Sequence, residues 1–262
     1  MSNSAITVKG LLFTRDSRNI ISNITFSVSP GELVGIIGPN GAGKTTLIKL
    51  ILGLLKPDSG EIYIEDLILH KYSPKELYKK IAFVPQENNL DFPTTVLETV
   101  LLGRIPHLSR FHLENEEDYK IAEEALTAAG IEDFSERFAN QLSMGEKQLV
   151  TIAKALAQET KFIFLDEPTS SLDVSHTIQI MEILKGLTLK GKTIISAIHD
   201  LNTASRYCDK ILIINKGEIK GFGKAEEVFT KEIIQDAFSV NVNIHSSEQT
   251  GNILIEPINT KS

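Results

Sequence analysis

The chain has 262 residues, 42% of them hydrophobic and 23% charged, with a formal net charge of −7. That length and makeup suit a substantial buried core, as one large domain or two small ones, and the negative balance argues against broad electrostatic binding to nucleic acid. The single cysteine, Cys208, excludes a disulfide within the chain and suits a reducing compartment.

Met1 to Gly10 has no basic region followed by an apolar core, so no signal peptide is expected. Alternation over Ile6 to Phe13 and Ile24 to Val28 predicts two half-buried strands, separated by the polar turn Arg15 to Asn19. Pro30-Gly31 then turns the chain into an apolar strand, Leu33-Val34-Gly35-Ile36-Ile37, and a helix with Leu47, Ile48, Leu50 and Ile51 follows. Between them lies Gly38-Pro39-Asn40-Gly41-Ala42-Gly43-Lys44-Thr45-Thr46, which fits the phosphate-loop pattern G-x-x-x-x-G-K-[ST] at every defined position. Glycines there let successive N–H groups turn inward toward a phosphate, and the helix adds the positive end of its dipole. Lys44 can then reach the β and γ phosphates, and the Thr45 hydroxyl can bind Mg²⁺. A Gly-rich turn that merely precedes a lysine is the plainer alternative; the strand before and the helix after favour nucleotide.

The helix ends near Gly53, and the run Leu47 to Leu55, broken by Lys49, is too short to cross a bilayer. A role at a membrane would therefore require docking on something already there. A turn over Lys56 to Gly60 leads to short strands at Glu61 to Ile64 and Ile81 to Val84, the latter stopped by Pro85. From Val96 to about Ala157 the pattern is helical, with Tyr119, Ala122, Ala125, Leu126 and Ala129 predicted to share one face. Strands return at Phe162 to Leu165, Thr193 to Ile198 and Ile211 to Ile214, with a helix over Ser175 to Leu187 joining the first two. The expected fold is an α/β core with a mainly parallel sheet, a helical subdomain inserted over about 96–157, and a C-terminal extension over 241–262 beyond a main domain of 4–240.

Asp166 and Glu167 close the Phe162 strand. Two adjacent acids could be a solvated turn, but beside a phosphate loop they supply what phosphoryl chemistry needs, Asp166 for Mg²⁺ and Glu167 for water's proton. His199 ends the Thr193 strand, where ligands of open parallel sheets collect, so a γ-phosphate contact is favoured over a structural role. Gln86 is unremarkable alone. His107 and His112 with Glu114, Glu116 and Glu117 could be imagined as a metal site, yet an exposed loop is the better expectation. In Leu142-Ser143-Met144-Gly145-Glu146-Lys147-Gln148, Ser143 and Glu146 have capping-box spacing, and Gly145 leaves the backbone open. This is either a well-capped helix or a second anion-binding terminus. One complete nucleotide site and half of another suggest two copies facing head to tail.

In this order the motifs resemble the ATP-binding cassette family over nearly the whole chain. Gly38 to Thr46 looks like its Walker A loop, Gln86 its Q-loop glutamine, Leu142 to Gln148 its signature, Phe162 to Glu167 its Walker B strand, Ser171-Leu172-Asp173 its D-loop and His199 its switch histidine. The resemblance implies a P-loop NTPase fold with an N-terminal antiparallel β subdomain, and ATP with Mg²⁺ as ligands, Gln86 joining Thr45 and Asp166 on the ion. It also implies a dimer closing around two ATP molecules, with Ser143, Gly145 and Asp173 serving the partner's nucleotide. Met144 departs from the family's usual Leu-Ser-Gly-Gly, and the position of its adenine-stacking aromatic falls at Arg15, two residues after Phe13.

Gly103-Arg104-Ile105-Pro106-His107 and the tail Phe238 to Val242 with Gly251 and Pro257 resemble cassettes of iron-siderophore, haem or cobalamin importers, with zinc and manganese importers sharing part of the pattern. Such cassettes dock on the cytoplasmic side of a membrane permease fed by an extracytoplasmic binding protein. Rivals are an exporter cassette, a non-transport cassette acting on DNA or ribosomes, and a phosphate-loop kinase. The kinase leaves the signature unexplained, and the chain has no long coiled coil or second cassette of the kind non-transport members usually carry.

Overall fold

The computed structural model describes residues 4–86, 90, 92–109, 113–248 and 250–258. The chain forms two compact units, one of Met1–Tyr72 with Thr188–Ser262 and the other of Ser73–Leu187. Among the described residues no helix is long and apolar enough to cross a membrane.

The first unit opens with a hairpin of β1 (Ile6–Arg15) and β2 (Arg18–Val28). Its turn is tighter than the five-residue one expected, because Asp16 and Ser17 both take positive φ, 49° and 60°. That left-handed pair matches the twist of the flanking strands, so pairing continues to Arg15 and Arg18. Then come β3 (Leu33–Ile37), α1 (Lys44–Ile51), β4 (Ser59–Ile64) and β5 (Leu67–Ile68). Strands in the order β2-β1-β4-β5 make an antiparallel sheet.

The second unit contains α2 (Pro74–Tyr78), β6 (Ile81–Val84), α3 (Val96–Leu101), α4 (Glu116–Ala129), α5 (Met144–Ala157), β7 (Phe162–Asp166) and α6 (Val174–Leu189), in whose last turn the chain returns to the first unit. β6 runs parallel to β7. Helices α3, α4 and α5 pack on one another and bury Val96, Val100, Ala122, Leu126, Leu149 and Ala153. The predicted face of α4 needs one correction. Ala122, Ala125, Leu126 and Ala129 are buried, but Tyr119 is exposed and Asp118, one residue earlier, is buried. Helical spacing puts 118 directly in line with 122, 125 and 129, and Arg104 makes a carboxylate acceptable there. Its Nε donates to Asp118 Oδ1 at 2.9 Å, while Nη1 donates to the Ala157 carbonyl and to Glu159 Oε2, both at 2.7 Å. Burial pushes the Asp118 carboxyl up, but the Arg104 hydrogen bond, the Asn115 backbone N–H and the Arg104 charge outweigh it, leaving it below the usual range. Next to Arg104, a side chain on Gly103 would meet the Lys154 carbonyl at 2.2 Å, so only glycine lets this segment lie against α5.

The first unit resumes with β8 (Thr193–Ala197), α7 (Leu201–Tyr207), β9 (Lys210–Asn215), β10 (Glu218–Gly223), α8 (Ala225–Val228), α9 (Lys231–Phe238), β11 (Val242–Ser246) and β12 (Ile253–Pro257). β3 lies between β8 and β9, parallel to both, and β10 pairs antiparallel with β9. Every residue of β3 and β8 is buried, which is why both read as near-continuous apolar runs. Phe26 of β2 meets Phe222 of β10 edge-on, ring centroids 5.6 Å apart, so the sheets that hold β2 and β10 pack together. Most of the expected C-terminal extension is the β11–β12 hairpin; its residues 249 and 259–262 lie outside the described residues. The hairpin is held on α7 by side chains: Asn202 donates to the Ile255 carbonyl and accepts from its N–H, and Ser205 Oγ donates to the Ile253 carbonyl.

Candidate functional site

In the first unit the phosphate loop is shaped by its neighbours. A side chain on Gly38 would sit 2.1 Å from the Ile214 carbonyl of β9. Gly43, at φ 107°, is the N-cap of α1, and a Cβ there would lie 2.9 Å from the Ile20 carbonyl of β2. The β9–β10 turn braces the loop: Gly217 N–H donates to the Ala42 carbonyl at 3.0 Å, and its own carbonyl accepts from Ser22 N–H at 2.8 Å. Lys44 is only 5% exposed, and its Nζ donates to the Gly38 carbonyl at 2.9 Å and the Pro39 carbonyl at 3.4 Å. Asn40 and Gly41 are exposed, with Thr45 and Thr46 half-buried. α1 has no side-chain cap and no acid in its first turn. Its opening N–H groups and dipole end therefore favour an anion.

His199 leaves the same sheet edge as this loop. Ile36 of β3 pairs with Ala197 of β8, and Gly38 and His199 each lie two residues beyond that pair, at the carboxyl ends of adjacent parallel strands. Of the two candidates for stacking on a base, Phe13 is half-buried and Arg15 is exposed, the latter 3.9 Å from Asp16.

The second unit repeats this register logic with acids. Val84 of β6 pairs with Leu165 of β7, and Gln86 and Glu167 each stand two residues past that pair. Gln86 Nε2 donates to Glu167 Oε2 at 2.9 Å, a contact sequence reasoning missed and strand register alone could have suggested. Asp166 and Glu167 are 3% and 9% exposed. Glu167 takes a left-handed φ of 53°, a conformation costing a non-glycine residue about 1–3 kcal/mol. Ser170 holds it there, its N–H and Oγ both donating to the Glu167 carbonyl, at 3.1 and 2.9 Å.

Ser143 caps α5 as the spacing predicts: its Oγ accepts from Glu146 N–H at 3.4 Å while Glu146 Oε2 accepts from Ser143 N–H at 2.7 Å. The Ser143 backbone N–H, then its hydroxyl, with Arg137 adding, holds the Glu146 carboxyl below its ordinary value against the opposing effect of burial. Met144 is 61% exposed, so the residue that departs from the family's usual signature does not fill the core. Asp173 stands just before α6 and accepts from His176 N–H at 2.8 Å. Its carboxyl lies below the usual range, first through that backbone bond and then through the imidazole of His176.

Among the described residues no group of three His, Cys, Asp or Glu side chains could hold a metal ion. His107 Nε2 instead lies 2.9 Å from the Gln158 carbonyl, and His112 is outside the described residues. Mg²⁺ is a hard cation that takes oxygen ligands and keeps several of its own waters. The buried Asp166 carboxylate and the Thr45 hydroxyl are hard oxygen donors of the kind that ion prefers, so the residues present fit it.

Residues 21–170 match the ABC transporter family model. The chain is 35% identical over 252 residues to a cobalamin import ATP-binding protein of Halobacterium salinarum, covering 96% of this chain and 63% of that relative's length. It is 36% identical over 245 residues to the petrobactin import ATP-binding protein of Bacillus anthracis, covering 93% of this chain and 90% of that protein. The structure is similar to a metal-chelate type ABC transporter in an inward-facing conformation, with TM-score 0.86 and 29% identity over 98% of each chain. A family match across the phosphate loop, the capped helix and the acidic strand, joined to these likenesses, establishes that the chain belongs to the ABC transporter family.

Proposed function

We propose that this chain binds and hydrolyses ATP to ADP and phosphate, and thereby energises uptake of a metal chelate of the iron-siderophore, haem or cobalamin type through a separate membrane permease. The observation that carries the reading is the phosphate loop: α1 opens without a cap of its own, under a buried Lys44. The import names of the relatives and the metal-chelate type of the structural neighbour support the cargo class.

In this reading Gly38 to Thr46 hold the polyphosphate and Lys44 supplies the charge for its β and γ groups. Thr45, Asp166 and Gln86 hold Mg²⁺, which when bound neutralises charge on the phosphate oxygens. Glu167 accepts the proton of the attacking water on its carboxylate, whose Oε2 already accepts a hydrogen bond from Gln86 Nε2. His199 contacts the γ-phosphate. A second copy, head to tail, contributes Ser143, Gly145 and Asp173. Moving such a dimer from 1:99 open to 99:1 closed takes about 5.5 kcal/mol, or just under ~3 per nucleotide. One or two charge-assisted hydrogen bonds from the signature loop, at ~1.5–3 kcal/mol each, are enough. The subunit works at the cytoplasmic face, docked on the permease, which an extracytoplasmic binding protein feeds.

Replacing Glu167 by Gln tests this. ATP should accumulate a long-lived dimer, visible by sedimentation, because the γ-phosphate contacts persist; a purified variant that stays monomeric with ATP and the permease supplied overturns the reading. The membrane protein recovered with the chain in mild detergent then identifies the cargo route.

A further inference from the structure

Gly145, in the first turn of α5, is buried against a side chain 31 positions later. A Cβ built on it would lie 2.5 Å from Cδ2, 2.6 Å from Cγ and 2.7 Å from Nε2 of His176. Three ring atoms at nearly equal distance mean that the imidazole lays its flat face on the glycine. The ring cannot easily swing away. Its Nδ1 is 3.0 and 3.1 Å from the two Asp173 carboxylate oxygens, and the His176 backbone N–H donates to the same carboxylate. The imidazole side chain is 30% exposed, so this is a fastening near the surface and not part of the deep core.

We infer that His176 is a positioning residue that fastens the Asp173 loop to the start of α5, so that Ser143, Gly145 and Asp173 are offered to a second copy in one fixed arrangement. The inference rests on the head-to-tail reading above. It also gives Gly145 a reason to be glycine that lies within its own chain. If only the approach of a phosphate required glycine, the residue at 176 would be irrelevant to what alanine does at 145. If the ring requires it, shortening residue 176 makes room for the extra methyl group. Asparagine at 176 is the informative replacement, since its amide can stand where Nδ1–H donates to Asp173 while leaving the space over Gly145 open.

The test uses the full chain carrying Glu167→Gln and measures ATP-driven dimerisation by sedimentation, binding of a fluorescent ATP analogue to the single chain, and thermal melting. His176→Ala should weaken dimerisation about tenfold and leave single-chain nucleotide binding within about twofold, and His176→Asn should return dimerisation to within about threefold, because one oriented donor is restored. Gly145→Ala should weaken dimerisation about a hundredfold, and adding His176→Ala should recover about tenfold of that, the non-additivity expected of touching residues. The inference is overturned if His176→Asn is no better than His176→Ala, or if Gly145→Ala is equally impaired in both backgrounds. Should the Glu167→Gln chain itself never dimerise, the head-to-tail reading fails separately, and melting still decides the contact: Gly145→Ala lowers the midpoint and the double variant regains it, or the contact is wrong.

Discussion

Helix α1 begins at Gly43, with φ 107°, no side-chain cap and no acid in its first turn, whereas α5 begins at Ser143, which closes a capping box with Glu146. Both starts carry glycine and both are expected to face a phosphate. The first gets its shape from outside, from the Ile20 and Ile214 carbonyls and the brace through Gly217. The second gets its shape from two of its own side chains, with Arg137 behind them. An anion at α1 takes up backbone donors that no local side chain serves, so that start is built to bind strongly. At α5 the box already occupies the N–H of Glu146 and leaves those of Met144 and Gly145 outside the reciprocal pair, so that start is stable by itself and adds only a few bonds. This is the division expected if one nucleotide is held firmly by one chain and closed over reversibly by another.

The largest expected effect is at the start that depends on a ligand. Lys44→Ala should reduce ATP turnover by about 10²–10³, the loss typical when one donor to a developing anion is removed; single-turnover hydrolysis measures it, and a loss below tenfold would transfer the work to the loop's backbone. Next, Gly43→Ala should destabilise the fold by about 1–3 kcal/mol even without nucleotide, through a left-handed φ and a clash with the Ile20 carbonyl. Denaturant melts read this, and an unchanged midpoint would mean that β2 yields and the loop is not shaped from outside.

Ser143→Ala should cost about 1 kcal/mol, the ordinary worth of an N-cap, with single-chain nucleotide binding untouched; a matching loss of that binding would erase the distinction between the two starts. The smallest effect is acidic. The folded state holds the Glu146 carboxyl below its ordinary value, so its contribution to stability is complete above the unfolded pKa and is lost as pH falls through the folded one. Between about pH 5 and pH 3 the native chain should therefore lose stability more steeply than Glu146→Gln. If the two melting curves fall in parallel, the box is not closed by a carboxylate.

What could be read from sequence was local. The phosphate loop is nine consecutive residues with a strand before and a helix after, and Ser143 and Glu146 are three apart, so their chemistry is written in one stretch. The place of Asp166 and Glu167 at the carboxyl end of β7 is legible for the same reason. Contacts between distant positions were not: Gln86 meets Glu167 across parallel strands, His176 meets Gly145 across two helices, and Arg104 reaches Asp118 and Glu159 at once. Tyr119 was misplaced because an aromatic residue looks like core and an aspartate does not, and only a buried guanidinium reverses that preference. The motif Gly103-Arg104 stands out in the sequence only by its likeness to a family, while its physical content is tertiary: a glycine pressed on α5 and a guanidinium bonded to two carboxylates and one carbonyl.

The clasp between Asn202 and β12 reaches beyond holding the tail down. A carboxamide that both donates to the carbonyl and accepts from the N–H of one residue behaves as a short length of pairing strand, and with Ser205 beside it the outer backbone of β12 at Ile253 and Ile255 is already engaged. A sheet margin sealed in this way cannot recruit another chain's extended segment there, which removes a common route to aggregation. Asn202→Ala would reopen that margin, and the expected symptom is slow self-association of concentrated protein.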